Sequence, residues 1–172
     1  MQSESRLLNF HQWQGKSNDC GPFTTAIVLN TFRGEKIFDG KTLALEMNRP
    51  RLRWHGLLPL IVIRRIPNWA TLPWGIADTL TQNGVRARWR FGATKDDLLN
   101  ALNQNRVAMP IIGEINLPRT LWAHVKPLAH YDPQNGFGFV DPSHPDAEIV
   151  WQNENEFESL WKNWKNLLVE TF

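Results

Sequence analysis

The chain has 172 residues, of which 19 are Lys or Arg, 17 are Asp or Glu and one is cysteine. The single cysteine excludes an internal disulfide, and it excludes zinc and iron–sulfur sites built from several cysteines of one chain. A net charge of +2 is too small to favour nucleic acid as a partner, and no apolar run approaches the roughly 20 residues that a membrane-spanning helix needs.

The N-terminal half of the chain is predicted to be mainly helical. An apolar segment over residues 20–30 follows Asp19, which can cap a helix, and Pro22 is tolerated in a first turn. Because the segment is apolar nearly all round, we expect a buried central helix. Shorter helices are predicted over residues 41–47 and 74–82, the second ending at an Asn-Gly pair.

A strand with one solvated face is predicted next. Residues 85–91 alternate strictly between apolar and basic side chains, a pattern typical of a half-exposed strand. Trp89 is assigned to its apolar, core-facing side. The basic side is expected to face solvent and consists of Arg86, Arg88 and Arg90. Thr94 is then predicted to cap a helix whose apolar face is Leu98, Leu99 and Leu102.

Three further strands are predicted over residues 107–115, 121–129 and 136–140. Pro127 has no N–H to donate, so the strand that contains it is expected to be bulged or to lie at a sheet edge. An amphipathic stripe predicts a last helix that carries Phe157, Leu160, Trp161, Trp164 and Leu168. Helices followed by antiparallel strands indicate the α+β class, and without linkers or repeats we expect a single domain over residues 1–172.

The only cysteine, Cys20, stands at the predicted start of the buried helix. Free backbone N–H groups and the positive end of the helix dipole favour a thiolate there, and the thiolate is the nucleophilic form of cysteine. Position alone does not distinguish a nucleophile from a small buried apolar residue, which is the commoner role of a free cysteine.

Three polar residues elsewhere in the chain could act together with Cys20. Gln14 lies six residues before it, where its side-chain amide and the Cys20 N–H would form a two-donor oxyanion hole. His124 and Asp141 fall on consecutive predicted strands, so the carboxylate could orient an imidazole that takes the thiol proton. The residues alone leave alternatives: Gln14 could be a surface residue and Asp141 a turn start. His130 could replace His124 as the base.

A resemblance to a known family rests on Gln14, the run Asn18-Asp19-Cys20-Gly21-Pro22, His124, Tyr131-Asp132 and Asp141-Pro142. These residues resemble the papain-like cysteine peptidase superfamily, and more narrowly the bacteriocin-processing (double-glycine leader) peptidase family and its stand-alone relatives. The resemblance implies a papain-like α+β fold, with the nucleophile on the central helix of an N-terminal helical half and with the His and Asp on a C-terminal antiparallel sheet.

By this resemblance Cys20 is the nucleophile, His124 the general base, Asp141 the orienting residue and Gln14 the oxyanion donor. It implies a thiol peptidase that cleaves a peptide or protein substrate through an acyl-enzyme and needs no cofactor. Two alternatives remain: a catalytically silent peptide-binding module on the same fold, and an acyltransferase. No metal site is expected, because the other histidines show no ligand spacing; they are His11, His55 and His144.

The segment over residues 49–73 is rich in Pro, Arg and Trp and is expected to be irregular in part. Within residues 49–65, arginines flank the apolar run 57–63, and this combination could dock a partner or an acidic substrate. The alternative is an insertion packed against the helical half. The residues concerned are Arg49, Arg51, Arg53, Trp54, Arg64 and Arg65.

The start of the chain lacks the basic residues and continuous apolar core of a secretory signal. A lone thiol is also typical of proteins in a reducing compartment. We therefore expect a cytoplasmic protein.

Overall fold

The computed structural model of the chain describes residues 6–116, 118 and 120–172, without the side chains of residues 53–55. The helices of this part are α1 (Cys20–Arg33), α2 (Gly40–Met47), α3 (Pro73–Gln82), α4 (Lys95–Asn103) and α5 (Glu154–Asn163). The strands are β1 (Arg51–His55), β2 (Leu58–Val62), β3 (Arg65–Ile66), β4 (Ala70–Thr71), β5 (Ala87–Arg90), β6 (Ala108–Asn116), β7 (Thr120–Val125), β8 (Leu128–Asp132), β9 (Gly136–Val140), β10 (Ile149–Gln152) and β11 (Leu168–Thr171). Their pairings are antiparallel, so the predicted mixture of helices and antiparallel sheet is confirmed.

The helix that begins at the cysteine, α1, is buried on all sides. Every residue from Gly21 to Thr31 is buried, which confirms the predicted central helix. The helix ends at Gly34, whose φ of 75° lets its N–H donate to the Asn30 carbonyl at 2.8 Å. Neither α1 nor another helix within the described ranges is long and apolar enough to cross a membrane.

Two antiparallel sheets form most of the C-terminal part. One has the strand order β5-β11-β6-β7 and the other has the order β10-β9-β8. A first apolar core joins Ile27 of α1 to Met109 of β6 and Val169 of β11. A second core joins Phe139 of β9 to Trp161 of α5. Helix α1 and the four-stranded sheet therefore pack into one shared core, and this core holds the start of α1 in place.

The strand predicted over residues 121–129 is in fact two strands, β7 and β8, in different sheets. β7 pairs with β6 at the edge of its sheet, and β8 pairs with β9. The division falls at Pro127, which lacks a ladder donor and whose carbonyl instead accepts from the Val140 N–H at 3.1 Å. The edge position expected from Pro127 is confirmed, whereas the single continuous strand is wrong.

The last helix of the structure, α5, is shorter than the apolar stripe from which it was predicted. It ends at Asn163, because Lys165 and Asn166 have φ values of 53° and 50° that a right-handed helix does not allow. Leu168 lies on β11, between β5 and β6. Its assignment to the helix is therefore wrong, since insertion between two strands buries all of β11.

The basic side of β5 is only partly solvated, which corrects the expectation for its arginines. Arg88 and Arg90 bind Glu170 of β11 at 2.9 and 3.1 Å, and Arg106 binds its other oxygen at 2.7 Å. The Glu170 side chain is buried because β11 is a central strand. Trp89, predicted to face the core, is 38% exposed on this edge strand.

Residues 49–73 are more regular than expected and contain two hairpins, β1–β2 and β3–β4. Apolar side chains of the first hairpin that the structure describes face solvent: Leu57 is 94% exposed and Ile61 is 73% exposed. An insertion packed against the helical half is therefore wrong for this hairpin. The exposed apolar surface on which the docking prediction depends is present.

The basic rim expected around that surface is smaller than predicted. Arg64 is buried and donates to the Glu46 carbonyl at 2.5 Å, and Arg65 is buried in an ion pair with Asp19. Both arginines tie the hairpins to the helices instead of facing solvent. The side chains of Arg53 and Trp54 lie outside the described residues, and docking of a partner at residues 49–65 stays a prediction.

Candidate functional site

The start of α1, which carries Cys20, is held by neighbours on two sides. Asp19 occupies the N-cap position, but its carboxylate pairs with Arg65 instead of capping the helix. Gly21 lies so close to β4 that a Cβ there would be 2.4 Å from the Cβ of Thr71. A larger residue would force the helix away from β4, so glycine at this position fixes where the cysteine sits.

The edge strand β7 is tied directly to the same helix. Thr24, one turn after Cys20, donates from its hydroxyl to the Val125 carbonyl at 2.9 Å. This bond is buried, so its loss would leave an unpaired carbonyl. It places the residue before Val125, His124, beside the start of α1. The sequence signal for the bond between Thr24 and Val125 was the presence of a polar residue in a helix that is otherwise apolar.

Cys20, His124 and Asp141 form a connected chain of side chains. The His124 Nε2 lies 2.8 Å from Asp141 Oδ1; because an ionised carboxylate only accepts, Nε2 carries the donated hydrogen. The Cys20 thiol lies within electrostatic reach of the His124 imidazole, and Nδ1 is the ring nitrogen that Asp141 does not occupy. The structure thus brings together three of the four residues singled out from the sequence.

The charges of these groups shift one another's pKa values. Burial opposes a charged thiolate, but the hydrogen bond and positive charge of His124 lower the pKa of Cys20 below its ordinary value. Burial likewise opposes the imidazolium, yet the contacts with Asp141 and Cys20 raise the pKa of His124 to about 9. The same imidazolium keeps the pKa of Asp141 below its ordinary range against the effect of burial. Each shift favours the charged form of its group, as an ion pair of thiolate and imidazolium requires.

Asp141 is fixed by more than its histidine. Its Oδ1 also accepts from the Ser143 N–H at 2.8 Å and from the Ser143 hydroxyl at 2.6 Å. Its main-chain carbonyl lies 3.1 Å from His11 Nε2, and its Oδ2 lies 3.4 Å from Lys126 Nζ. Sequence reasoning missed these three neighbours. Ser143 was detectable as a turn residue two positions after an aspartate, whereas a lysine in a strand pattern is typical of an exposed residue.

Gln14 lies beside the residue that follows Asp141, and its side-chain amide already has a partner. Its main-chain N–H donates to the Pro142 carbonyl at 2.8 Å, which joins the loop before α1 to the chain after Asp141. Its Nε2 donates to the Ser17 carbonyl at 2.8 Å, and its Oε1 is buried without a hydrogen-bond partner among the described residues. One amide hydrogen of Gln14 remains for a further acceptor.

The other residues behind the family resemblance have different surroundings. His130, the alternative base, packs edge-on against the Trp151 ring, with ring centroids 5.4 Å apart. Tyr131 donates to Glu154 at 2.8 Å. Asp132 accepts the main-chain N–H groups of the turn between β8 and β9. The imidazole that contacts both the thiol and Asp141 is that of His124.

An open cleft of about 670 Å³ reaches His124 and Asp141. Apolar and polar side chains from β6, β7 and α5 surround it, including Ile112, Glu114, Trp122, Glu156 and Leu160. Its lining therefore mixes charged, polar and apolar groups. Within residues 6–116, 118 and 120–172, no group of three or more His, Cys, Asp or Glu side chains is arranged to hold a metal ion.

No protein-family model matches the chain, and a search of curated proteins finds no match either. A solved structure is similar in fold: a crystal structure from Bacillus anthracis described as a "putative C39-like peptidase". The likeness covers 95% of this chain and 93% of that one, with a TM-score of 0.69 and 15% sequence identity. At this identity the comparison establishes a shared fold.

Proposed function

We propose that this chain is a cysteine hydrolase that cleaves a peptide or amide bond. The observation that carries the proposal is the connected set of Cys20, His124 and Asp141, with the thiol at the start of a buried helix and His124 Nε2 bonded to the carboxylate. A buried structural cysteine needs no charged imidazole beside it. The pairing of a lowered thiol pKa with an oriented histidine suits a nucleophile and its acid–base partner.

The reaction then follows from the ion pair. The Cys20 thiolate attacks the carbonyl carbon and forms a C–S bond while the carbonyl oxygen takes the negative charge. When this intermediate collapses, the C–N bond breaks and the His124 imidazolium gives its proton to the leaving amine. His124, now neutral, takes a proton from water, and the resulting hydroxide attacks the thioester; the C–S bond breaks, which releases the carboxylic acid and restores the Cys20 thiolate beside the His124 imidazolium. Asp141 orients the imidazole and stabilises its charge throughout.

The oxyanion of each intermediate needs hydrogen-bond donors. We assign this role to the Cys20 main-chain N–H at the start of α1 and to the side-chain amide of Gln14. The amide has one hydrogen beyond the bond that it donates to Ser17. A donor already held by the loop costs little reorganisation when the charge develops.

The papain-like layout and the relation to bacteriocin-processing peptidases belong to the same proposal. The C39-like fold similarity supports this choice, as does the order of Cys20 on a helix followed by His124 and Asp141 on the sheets. A peptide or protein is accordingly the proposed substrate, and the open cleft beside His124 is its proposed binding site.

A matched set of variants tests the function. The wild-type protein is incubated with a broad peptide library, and products are followed by mass spectrometry with and without an added amine. We expect hydrolysis by the wild type and by H130N, and loss of turnover in C20S and H124N. H130N is the matched control because it removes a histidine that packs on Trp151.

Other outcomes would contradict the hydrolase. Peptide binding without any cleavage, unchanged in C20S, would indicate a binding module. Transfer of the acyl group to the added amine in place of water would indicate an acyltransferase. Loss of turnover in H130N, with activity retained in H124N, would show that His130 is the general base.

A further inference from the structure

The lysine between β7 and β8, Lys126, is buried beside the proposed catalytic groups. It is 5% exposed, its Nζ lies 3.4 Å from Asp141 Oδ2, and the same atom lies 4.5 Å from the centre of the Phe139 ring. Burying an ammonium group is costly unless an opposite charge and a polarisable face compensate it. Its carboxylate partner is the one that holds His124, and the hydrolase mechanism gives Lys126 no task.

The two oxygens of Asp141 have separate partners. Oδ1 lies against His124 and Ser143, and Oδ2 faces Lys126. A carboxylate held at both oxygens has one orientation, whereas one held only at Oδ1 can rotate and weaken its bond to the imidazole. The position of Lys126 is itself fixed, because Pro127 follows it and bonds to β9 through its carbonyl.

We propose that Lys126 is a positioning residue of this site, an inference that rests on the proposed function. Lys126 holds the second oxygen of Asp141 and adds a positive charge behind the thiolate–imidazolium pair. Four charges then alternate in sign, from the Cys20 thiolate through the His124 imidazolium and the Asp141 carboxylate to the Lys126 ammonium. With the lysine the set is neutral, and without it the buried site carries a net negative charge.

This arrangement has a defined consequence for protonation. A positive charge near the pair stabilises the thiolate and disfavours the imidazolium. Removing it, and with it the fixed orientation of Asp141, should raise the pH at which Cys20 becomes a thiolate. The other charged groups nearby are unchanged by the substitution: Glu156 on α5 and Glu114 on β6 line the cleft, and His11 contacts the Asp141 carbonyl.

The test measures the rate of Cys20 alkylation by iodoacetamide from pH 4 to 10 in the wild type, K126M and K126R. Methionine keeps the length and apolar contact of the lysine stem without its charge, and arginine keeps the charge. We expect the acid limb of the K126M profile, which reports thiolate formation, to move up by about one pH unit, with the K126R profile close to that of the wild type. Circular dichroism and thermal unfolding establish that each variant is folded.

The two proposals fail in different ways. A wild-type profile with one limb near pH 8.5, as for an ordinary thiol, removes the proposed hydrolase site. A normal two-limbed wild-type profile that is unchanged in folded K126M overturns the role of Lys126 alone. If K126M does not fold, K126Q replaces it. Failure of both neutral variants to fold would assign Lys126 to stability and would also overturn the positioning role.

Discussion

His124 and Asp141 are joined by a 2.8 Å hydrogen bond, although one lies on a strand of the first sheet and the other follows a strand of the second. His124 lies on β7, which pairs with β6, and Asp141 follows β9, which pairs with β8 and β10. Direct strand pairing, the arrangement expected from the sequence, does not bring them together. The break at Pro127 does so instead, because its carbonyl accepts from Val140, the residue before Asp141.

The ion pair predicts how Cys20 reactivity depends on pH. The pKa of Cys20 is lowered and that of His124 is raised to about 9, so thiolate formation moves to lower pH and the imidazolium persists until about pH 9. At pH 6.5 the wild type should react with iodoacetamide at least about tenfold faster than H124N. Because the chain has one cysteine, total thiol loss reports Cys20. Equal rates for the two proteins would contradict the ion pair.

Gln14 should affect turnover without affecting thiol reactivity. An oxyanion donor stabilises charge that exists only during the reaction, so Q14A should lower kcat/KM for peptide cleavage by about 100-fold. Its alkylation profile should match that of the wild type. S17A is the control, because it changes the neighbouring side chain but keeps the Ser17 main-chain carbonyl that accepts from Gln14. If the Gln14 amide does nothing more than make this bond, the turnover of Q14A should fall no further than that of S17A.

Gly21 is predicted to be intolerant of a side chain because of β4. In G21A the new Cβ would lie 2.4 Å from the Cβ of Thr71, and such overpacking costs about 1–3 kcal/mol. The free energy of unfolding, measured in urea, should fall by that amount, and Cys20 should react more slowly. The double variant G21A/T71G removes the clash and should recover part of both losses. No recovery in the double variant would show that the contact is not the cause.

The buried Glu170 predicts an acid-sensitive contribution to stability. Burial raises the pKa of Glu170, but the hydrogen bonds and charges of Arg90 and Arg88 hold it below its ordinary range, and Arg106 pairs with the same carboxylate. A lowered folded-state pKa contributes stability above the unfolded value of about 4.3, which is lost as the pH falls through the folded value. E170Q should lose about 3 kcal/mol of unfolding free energy at pH 7, and its stability should change less than that of the wild type between pH 5 and 3.

A destabilisation of E170Q that is the same at pH 7 and pH 3 would contradict the linkage. E158Q provides the matched control, because Glu158 is exposed on α5. Its unfolding curve should follow that of the wild type at every pH.

Several local elements could be predicted because their causes lie within a few residues. The capping box of Thr94 with Asp97 begins α4 as the pattern indicates, and the apolar composition of α1 indicates its burial. The end of α5 could not be predicted from the stripe, because Leu168 continues the helical spacing but pairs in a sheet. The strands that pair with Leu168 are distant in sequence, and the local spacing of apolar residues carries no information about them.

The candidate site divides in the same way. Residue type and helix position were enough to make Cys20 a candidate, and strand patterns were enough to place His124 on one strand and Asp141 at the end of another. Tertiary structure alone decided that β7 and β8 belong to different sheets and that Lys126 is buried against Asp141. It also turned one hydrogen of the Gln14 amide toward Ser17. Caps and apolar patterns act over one or two turns of chain, whereas sheet order and the pairing of buried charges depend on contacts between distant segments that only the folded chain creates.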